Sequence, residues 1–218
     1  MIGVGGLGAP VAQYLAAAGV GTITLCHADR VDLPNLQRQI LYATADIGQP
    51  KVEAAVARLA AVNPEVTLRP LATRVDADAL RSLVAEADVV VDCSDNFATR
   101  HALNRACVAA RKPLVSGAAI RFDGQVAVFD ARDPVSPCYH CLFGEGDEIE
   151  ETRCATMGVF APLVGIVGAT QAAEALKLLA GIGESLAGRL LVLDALTMQW
   201  RDLSVPRDPG CAVCGSPQ

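Results

Sequence analysis

Residues 3–8 read Gly3-Val4-Gly5-Gly6-Leu7-Gly8. Gly3, Gly5 and Gly8 fit G-x-G-x-x-G, a tight strand-to-helix turn whose bare backbone can approach phosphate while the following helix N-terminus favours an anion. Pro10 suits the first turn of that helix and Gly19 its end, which predicts a helix over residues 10–18 and a strand over residues 20–26. On its own the glycine pattern is a weak nucleotide signal. Its weight comes from what surrounds it.

Outward from the turn, strands and helices alternate. Helices are expected over residues 49–63, 76–87 and 97–111, and strands over 66–71, 88–92 (D-V-V-V-D) and 113–116. Pro64 stops the first of these helices. The alternation specifies an α/β, Rossmann-like doubly wound sheet, mainly parallel, with right-handed crossovers. The pattern then changes. Residues 119–130 and 189–203 read as longer, antiparallel C-terminal strands, with a long helix over 162–180 between them. Residues 134–156 are polar and irregular, with an acidic run at Glu145, Asp147, Glu148, Glu150 and Glu151. One unit over residues 1–218 is expected. Its halves are a nucleotide-binding half (1–118) and a half with antiparallel strands, crossover loop and metal site (119–218).

Composition limits the function classes. Apolar residues make up 52% of the 218 and charged residues 19%, enough for a large core and against global disorder. The net charge of −6, with no basic stripe, argues against nucleic acid. The apolar stretch 158–183 carries Gln171, Glu174 and Lys177 at helical spacing, which favours a buried helix over a membrane span. With no leader pattern at Met1, a cytoplasmic location is expected.

Polar residues cluster after two strands. Asp29, Asn35, Arg38, Gln39 and Lys51 follow the second strand of the fold, and Asp95, Asn96 and Arg100 follow D-V-V-V-D. Loops after the carboxyl ends of parallel strands converge on one crevice, so both sets are expected to face Gly5, Gly6 and Gly8. Cations with a carboxylate there suit phosphate chemistry, with a seat for magnesium. No G-x-x-x-x-G-K-[ST] motif occurs, so ATP use requires another design.

Eight cysteines are present. Cys138 and Cys141 form one C-x-x-C pair, Cys211 and Cys214 another. Together they offer four thiolates to a structural zinc that would fasten the C-terminal tail. His140, inside the first pair, reads as a bystander. Cys26, Cys93 and Cys107 are assigned to the core, and Cys154 stands apart in the polar segment as a candidate reactive thiol.

Taken together, G-V-G-G-L-G-A-P (3–10), Y-L-A-A-A-G-V-G (14–21), N-L-Q-R-Q (35–39), G-Q-P-K (48–51), D-C-S-D-N (92–96), P-L-V-S-G-A (113–118), C-Y-H-C (138–141) and P-G-C-A-V-C (209–214) resemble the MoeB/ThiF/HesA family, relatives of ubiquitin-activating enzymes. The resemblance covers essentially the whole chain. It implies an adenylyltransferase. The C-terminal glycine carboxylate of a small ubiquitin-like sulfur-carrier protein ending in Gly-Gly attacks the α-phosphate of ATP, and sulfur then enters molybdopterin or thiamine biosynthesis. It further implies that Gly6 approaches phosphate, that Asn35, Arg38 and Lys51 contact phosphate or ribose, and that Asp95 holds magnesium. It also implies zinc on the four paired cysteines, a covalent link to the carrier at the Cys154 position in some members, and a homodimer. Two departures stand out. His27 occupies the place of the acid that holds the ribose hydroxyls, with Asp29 as the nearest substitute. The chain also starts at Met1-Ile2, so a helical segment and a full first strand before the turn are expected to be missing or nearly so.

Two other readings compete. An NAD-dependent oxidoreductase would need an acid where His27 stands and gives no role to two C-x-x-C pairs. A non-catalytic or N-terminally truncated paralogue would only bind the ubiquitin-like partner.

Overall fold

Helix α1 (Gly8–Ala17) begins at the last glycine of the turn, two residues earlier than expected. A Cβ on Gly8 would lie 2.1 Å from the Gly3 carbonyl oxygen, so the turn closes on itself in a way only glycine permits. The structure, a computed structural model, describes residues 1–145 and 158–215. After α1 come β1 (Thr22–Cys26), α2 (Lys51–Val62), β2 (Thr67–Leu71), α3 (Ala77–Glu86), β3 (Val90–Asp92) and α4 (Phe97–Ala110). Then follow β4 (Pro113–Ile120), β5 (Asp123–Asp130), the short α5 (Tyr139–Leu142), α6 (Ala161–Ala180), β6 (Arg189–Asp194) and β7 (Gln199–Ser204). Side-chain caps fix two of the starts. The Asp76 carboxylate accepts the Asp78 and Ala79 amides ahead of α3, and the Asn96 side-chain oxygen accepts the Thr99 amide ahead of α4.

β1 pairs with β2 and β3 with β4, both parallel, while β4 to β7 run as antiparallel neighbours. Residues 1–3 join the two groups. Ile2 forms parallel bridges to Cys26 on one side and Asp92 on the other. Its amide donates to the Val91 carbonyl (3.0 Å) and its carbonyl accepts from Cys93 (2.8 Å), while Gly3 donates to the Cys26 carbonyl (2.9 Å). Ile2 therefore pairs on both sides and delivers the glycine turn between β1 and β3.

The two antiparallel expectations need correction. Residues 119–130 are not one strand: Ala119 and Ile120 end β4, and the chain reverses at Arg121-Phe122, with Arg121 at φ +50°. Residues 189–203 likewise divide into β6 and β7, turning before Met198 at φ +57°. Non-glycine residues hold the left-handed positions in both hairpins, so the usual glycine signal is absent. Residues 134–156 also contain a helical turn, α5, across the first cysteine pair.

Helices cover both faces of the sheet. Val91, Val115, Val126 and Val128 face a core shared with α1, α2 and α6. Their neighbours Val90, Leu114, Ala127 and Phe129 face a second core with α3, α4 and Tyr139 of α5. That alternation is the period-two signature of strands buried on both faces. By length and composition α6 could cross a membrane. Instead it packs on α1, β4 and β5. A Cβ on its Gly168 would lie 2.4 Å from the Leu7 carbonyl oxygen, which shows how closely it approaches the turn. Two of its polar residues are buried and bonded: the Gln171 amide donates to the Asp92 carbonyl (2.7 Å), and Glu174 accepts the Leu186 amide (2.9 Å).

Candidate functional site

The carboxyl ends of β1 and β3 flank the glycine turn, and the polar residues after each strand meet there. His27, directly after β1, accepts the Val4 amide on Nδ1 (3.1 Å) and so bolts the turn to the strand end. With Nδ1 an acceptor, the neutral ring carries its proton on Nε2, which donates to Asp29 Oδ2 at 3.1 Å. Lys51 Nζ also reaches Asp29 Oδ2 (3.2 Å). Burial, followed by the Lys51 charge, holds the imidazole below its ordinary range, which keeps it neutral. For Asp29, partial burial pushes the carboxyl up, but the hydrogen bond from His27 and the Lys51 ammonium outweigh it. Asp29 therefore sits below the ordinary carboxylate range. The position where an acid was expected thus does mechanical work, and the carboxylate two residues on is the one presented outward.

Lys51 opens α2 and is only 2% exposed, while the Asp29 side chain is 66% exposed. A poorly hydrated ammonium with two further N–H donors, beside an open carboxylate, is matched to an anionic ligand. The Lys51 amide donates to the Asp29 carbonyl (2.9 Å), so the two elements are also joined through backbone.

The segment after β1 folds over the turn. Tyr42 donates its hydroxyl hydrogen to the Val4 carbonyl (2.7 Å). Gln39 is buried with its amide nitrogen 3.5 Å from where a Cβ on Gly5 would stand, and its Oε1 has no hydrogen-bond partner among the described residues. Such an orphaned acceptor is what a ligand-filled crevice leaves when viewed without its ligand. Arg38 donates to Asn35 Oδ1 (2.8 Å), which orients the guanidinium and leaves other donors for a ligand. A Cβ on Gly6 would come within 3.2 Å of Val164 on α6, so this glycine keeps the cradle open.

From the β3 side, Asp95 is exposed, and its charge acts on His27 across the crevice. The Asn96 oxygen is spent on the helix cap, which leaves only its amide hydrogens for a ligand. Arg100 turns inward: it donates to the Ser94 carbonyl (2.9 Å) and lies 3.9 Å from the carboxylate of Asp92. Asp92 is fully buried. Burial pushes its carboxyl up, opposed by Arg100 and by hydrogen bonds from Ser94 (2.6 Å) and Ser116 (3.2 Å). Sequence reasoning missed this network; the acid closing an apolar strand was the available signal.

The paired cysteines converge. Sγ separations are 3.9 Å for Cys138–Cys141, 3.7 Å for Cys138–Cys211 and 3.4 Å for Cys141–Cys214, and all four sulfurs lie within 4.8 Å of one another. Four thiolates about 2.3 Å from one zinc stand ~3.8 Å apart, so the set fits that ion. Donors already face the sulfurs: the Asn104 side chain to Cys138, and backbone amides of Cys138 to Cys141 and Val213 to Cys211, each 3.5 Å. Cys26, Cys93 and Cys107 are buried apart from this cluster. Burial pushes their thiols up, Cys107 to about 12, which suits inert core residues. Cys154 lies outside the described residues.

With this geometry in view, the comparisons with known proteins are decisive. The ThiF family model matches residues 1–213. The chain belongs to the ThiF family. Among its relatives, the molybdopterin-synthase adenylyltransferase of Escherichia coli (strain K12) is 49% identical over 218 residues, covering 99% of this chain and 86% of that protein. The sulfur carrier protein ThiS adenylyltransferase of the same organism is 48% identical over 215 residues, covering 99% and 84%. The sulfur carrier protein adenylyltransferase of Thermus thermophilus is 48% identical over 219 residues, covering 99% and 81%. Among solved structures, E. coli MccB with ATP superposes with a TM-score of 0.86 at 27% identity. The match covers 98% of this chain but 65% of MccB, so this ThiF-family chain spans slightly under two thirds of that protein.

Proposed function

We propose that this chain is an ATP-dependent adenylyltransferase that activates the C-terminal glycine carboxylate of a small ubiquitin-like sulfur-carrier protein as an acyl-adenylate. The observation that carries the proposal is the buried Lys51 ammonium, set with Asp29 and His27 against the glycine turn. Relatives named for molybdopterin synthase and for ThiS share this chemistry, and the sulfur delivered serves molybdopterin or thiamine biosynthesis.

The roles follow from the groups. A carboxylate is a poor electrophile, and adenylation gives it a good leaving group. The carboxylate oxygen bonds to the α-phosphorus, the bond from that phosphorus to the bridging oxygen breaks, and pyrophosphate leaves. Lys51 and Arg38 offset charge building on the phosphoryl oxygens. Gly5, Gly6 and Gly8 let the backbone approach phosphate, and Asn35, Gln39 and Asn96 hold the nucleotide with their amides. Asp29, oriented by His27 and Lys51, accepts the ribose hydroxyls. Asp95 is the seat for magnesium, which supplies charge neutralisation at the leaving phosphates when bound. Cys138, Cys141, Cys211 and Cys214 would hold a zinc ion, which would serve a structural role. We further propose that residues 1–118 and 119–218 are halves of one unit, and that the enzyme works as a cytoplasmic homodimer, which gel filtration with light scattering tests.

The deciding experiment is exchange of labelled pyrophosphate into ATP, with and without a carrier protein ending in Gly-Gly. Carrier-dependent exchange is expected. Carrier binding with no exchange would sink the proposal and leave a binding paralogue.

A further inference from the structure

The zinc-type thiol cluster leaves one neighbouring group of ligands unused. His101 lies on α4, 4% exposed, and His140 on α5, between the two cysteines of C-Y-H-C. Their rings meet edge to face with centroids 5.8 Å apart. Glu145, the third member, has a half-exposed side chain, and its carboxylate lies 3.9 Å from His101 Nδ1. One ligand atom from each of the three lies within 4.8 Å of the other two. A second observation points the same way: His140 Nδ1 is buried and has no hydrogen-bond partner among the described residues. A buried imidazole nitrogen without a partner is costly unless something fills the space beside it.

We infer that His101, His140 and Glu145 form a second metal site, separate from the four thiols, for a divalent cation of the zinc class. Two imidazole nitrogens and one carboxylate oxygen are the donor set that zinc, cobalt and nickel favour, whereas magnesium and calcium prefer oxygen alone. A rotation of the Glu145 carboxylate and a small closure of the rings bring the three donors to coordination distance. Arg105 pairs with the same carboxylate. A carboxylate has two oxygens, so one binds the ion while the other accepts from Arg105, which then orients the ligand from outside. The exposed side of Glu145 gives the ion its entry path. Three protein ligands leave a fourth position open to water or a small anion, unlike the closed thiol site. The bound ion would tie α4, which Asn96 caps, to α5.

The test is metal binding by the full chain, stripped with a chelator and then titrated with zinc against a chromophoric competitor and with cobalt by absorption. Two zinc equivalents are expected. With cobalt, one equivalent shows sulfur-to-metal charge transfer and the other shows weak visible bands without it. His140→Gln and Glu145→Gln should each weaken the second equivalent by about 10-fold or more and leave the thiolate bands intact. Cys214→Ser should do the converse. Glu145→Gln sits on a partly exposed side chain and keeps a partner for Arg105, so it separates metal loss from misfolding. A single equivalent at saturating zinc would overturn the inference. So would a second equivalent that both variants leave unchanged, or loss of the thiolate bands in His140→Gln.

Discussion

The crevice at the ends of β1 and β3 and the cysteine cluster at α5 are both assembled from distant parts of the chain, but by different means. At the crevice the protein's own groups bond one another in a chain. Val4 meets His27, His27 meets Asp29, and Asp29 meets Lys51, with backbone bonds behind them. The cluster brings four sulfurs to within 4.8 Å and gives them few donors of their own. The first region is preorganised without a ligand. The second becomes a charged site only if a cation neutralises the four converging sulfurs as thiolates. On the proposed roles, loss of the first site should change rate and loss of the second should change stability.

Substitutions that break the crevice should have the largest effects. Lys51→Ala or Asp95→Ala should lower carrier-dependent pyrophosphate exchange by about 10²–10³-fold, ~3–4 kcal/mol of barrier, with little change in thermal midpoint. If either variant kept near-normal exchange, that residue's role would be reassigned. Gly8→Ala should follow, because the Cβ would collide with backbone rather than a movable side chain. A destabilisation of at least ~3 kcal/mol in denaturant unfolding is expected.

The cluster should respond in the opposite sense. Chelation, or Cys211→Ser, should lower the thermal midpoint by on the order of 10 °C, where ~1 kcal/mol corresponds to ~2–4 °C at this length. Early exchange rates should be little changed until the protein unfolds. A midpoint insensitive to chelation would remove the contrast.

The smallest effect belongs to His27. Its folded pKa lies below the ordinary imidazole value of 6.5, so the unfolded chain binds more protons between the two values. Its contribution to stability should be complete above about pH 6.5 and decline as pH falls toward the depressed value. His27→Asn should flatten that slope in unfolding titrations and cost about 1 kcal/mol for the lost bond to Val4. An unchanged slope would mean that another group titrates there.

Local signals were legible in proportion to how much chemistry they carried. The glycine turn, the helix ends and the two C-x-x-C pairs were readable because turn geometry and metal chemistry admit few residue types. The hairpins at Arg121 and Met198 were not, since tertiary pairing forces non-glycine residues into left-handed backbone. His27 read as a departure from an acid; its bond to Val4 depends on contact between elements that periodicity cannot reveal. Asp92, Ser94, Ser116 and Gln171 were similarly hidden, as a buried polar network joining β3, β4 and α6.

Ile2 bears on how the molecule acquires its activity in time. The glycine turn is held between two strands, and the few residues before it pair with Cys26 on one and Asp92 on the other. The second partner lies far along the chain, so closing that contact costs loop entropy that local helices do not meet. Refolding should therefore show helical ellipticity early and nucleotide-dependent fluorescence late. The crevice becomes competent only when β3 has docked, however soon the turn itself is synthesised.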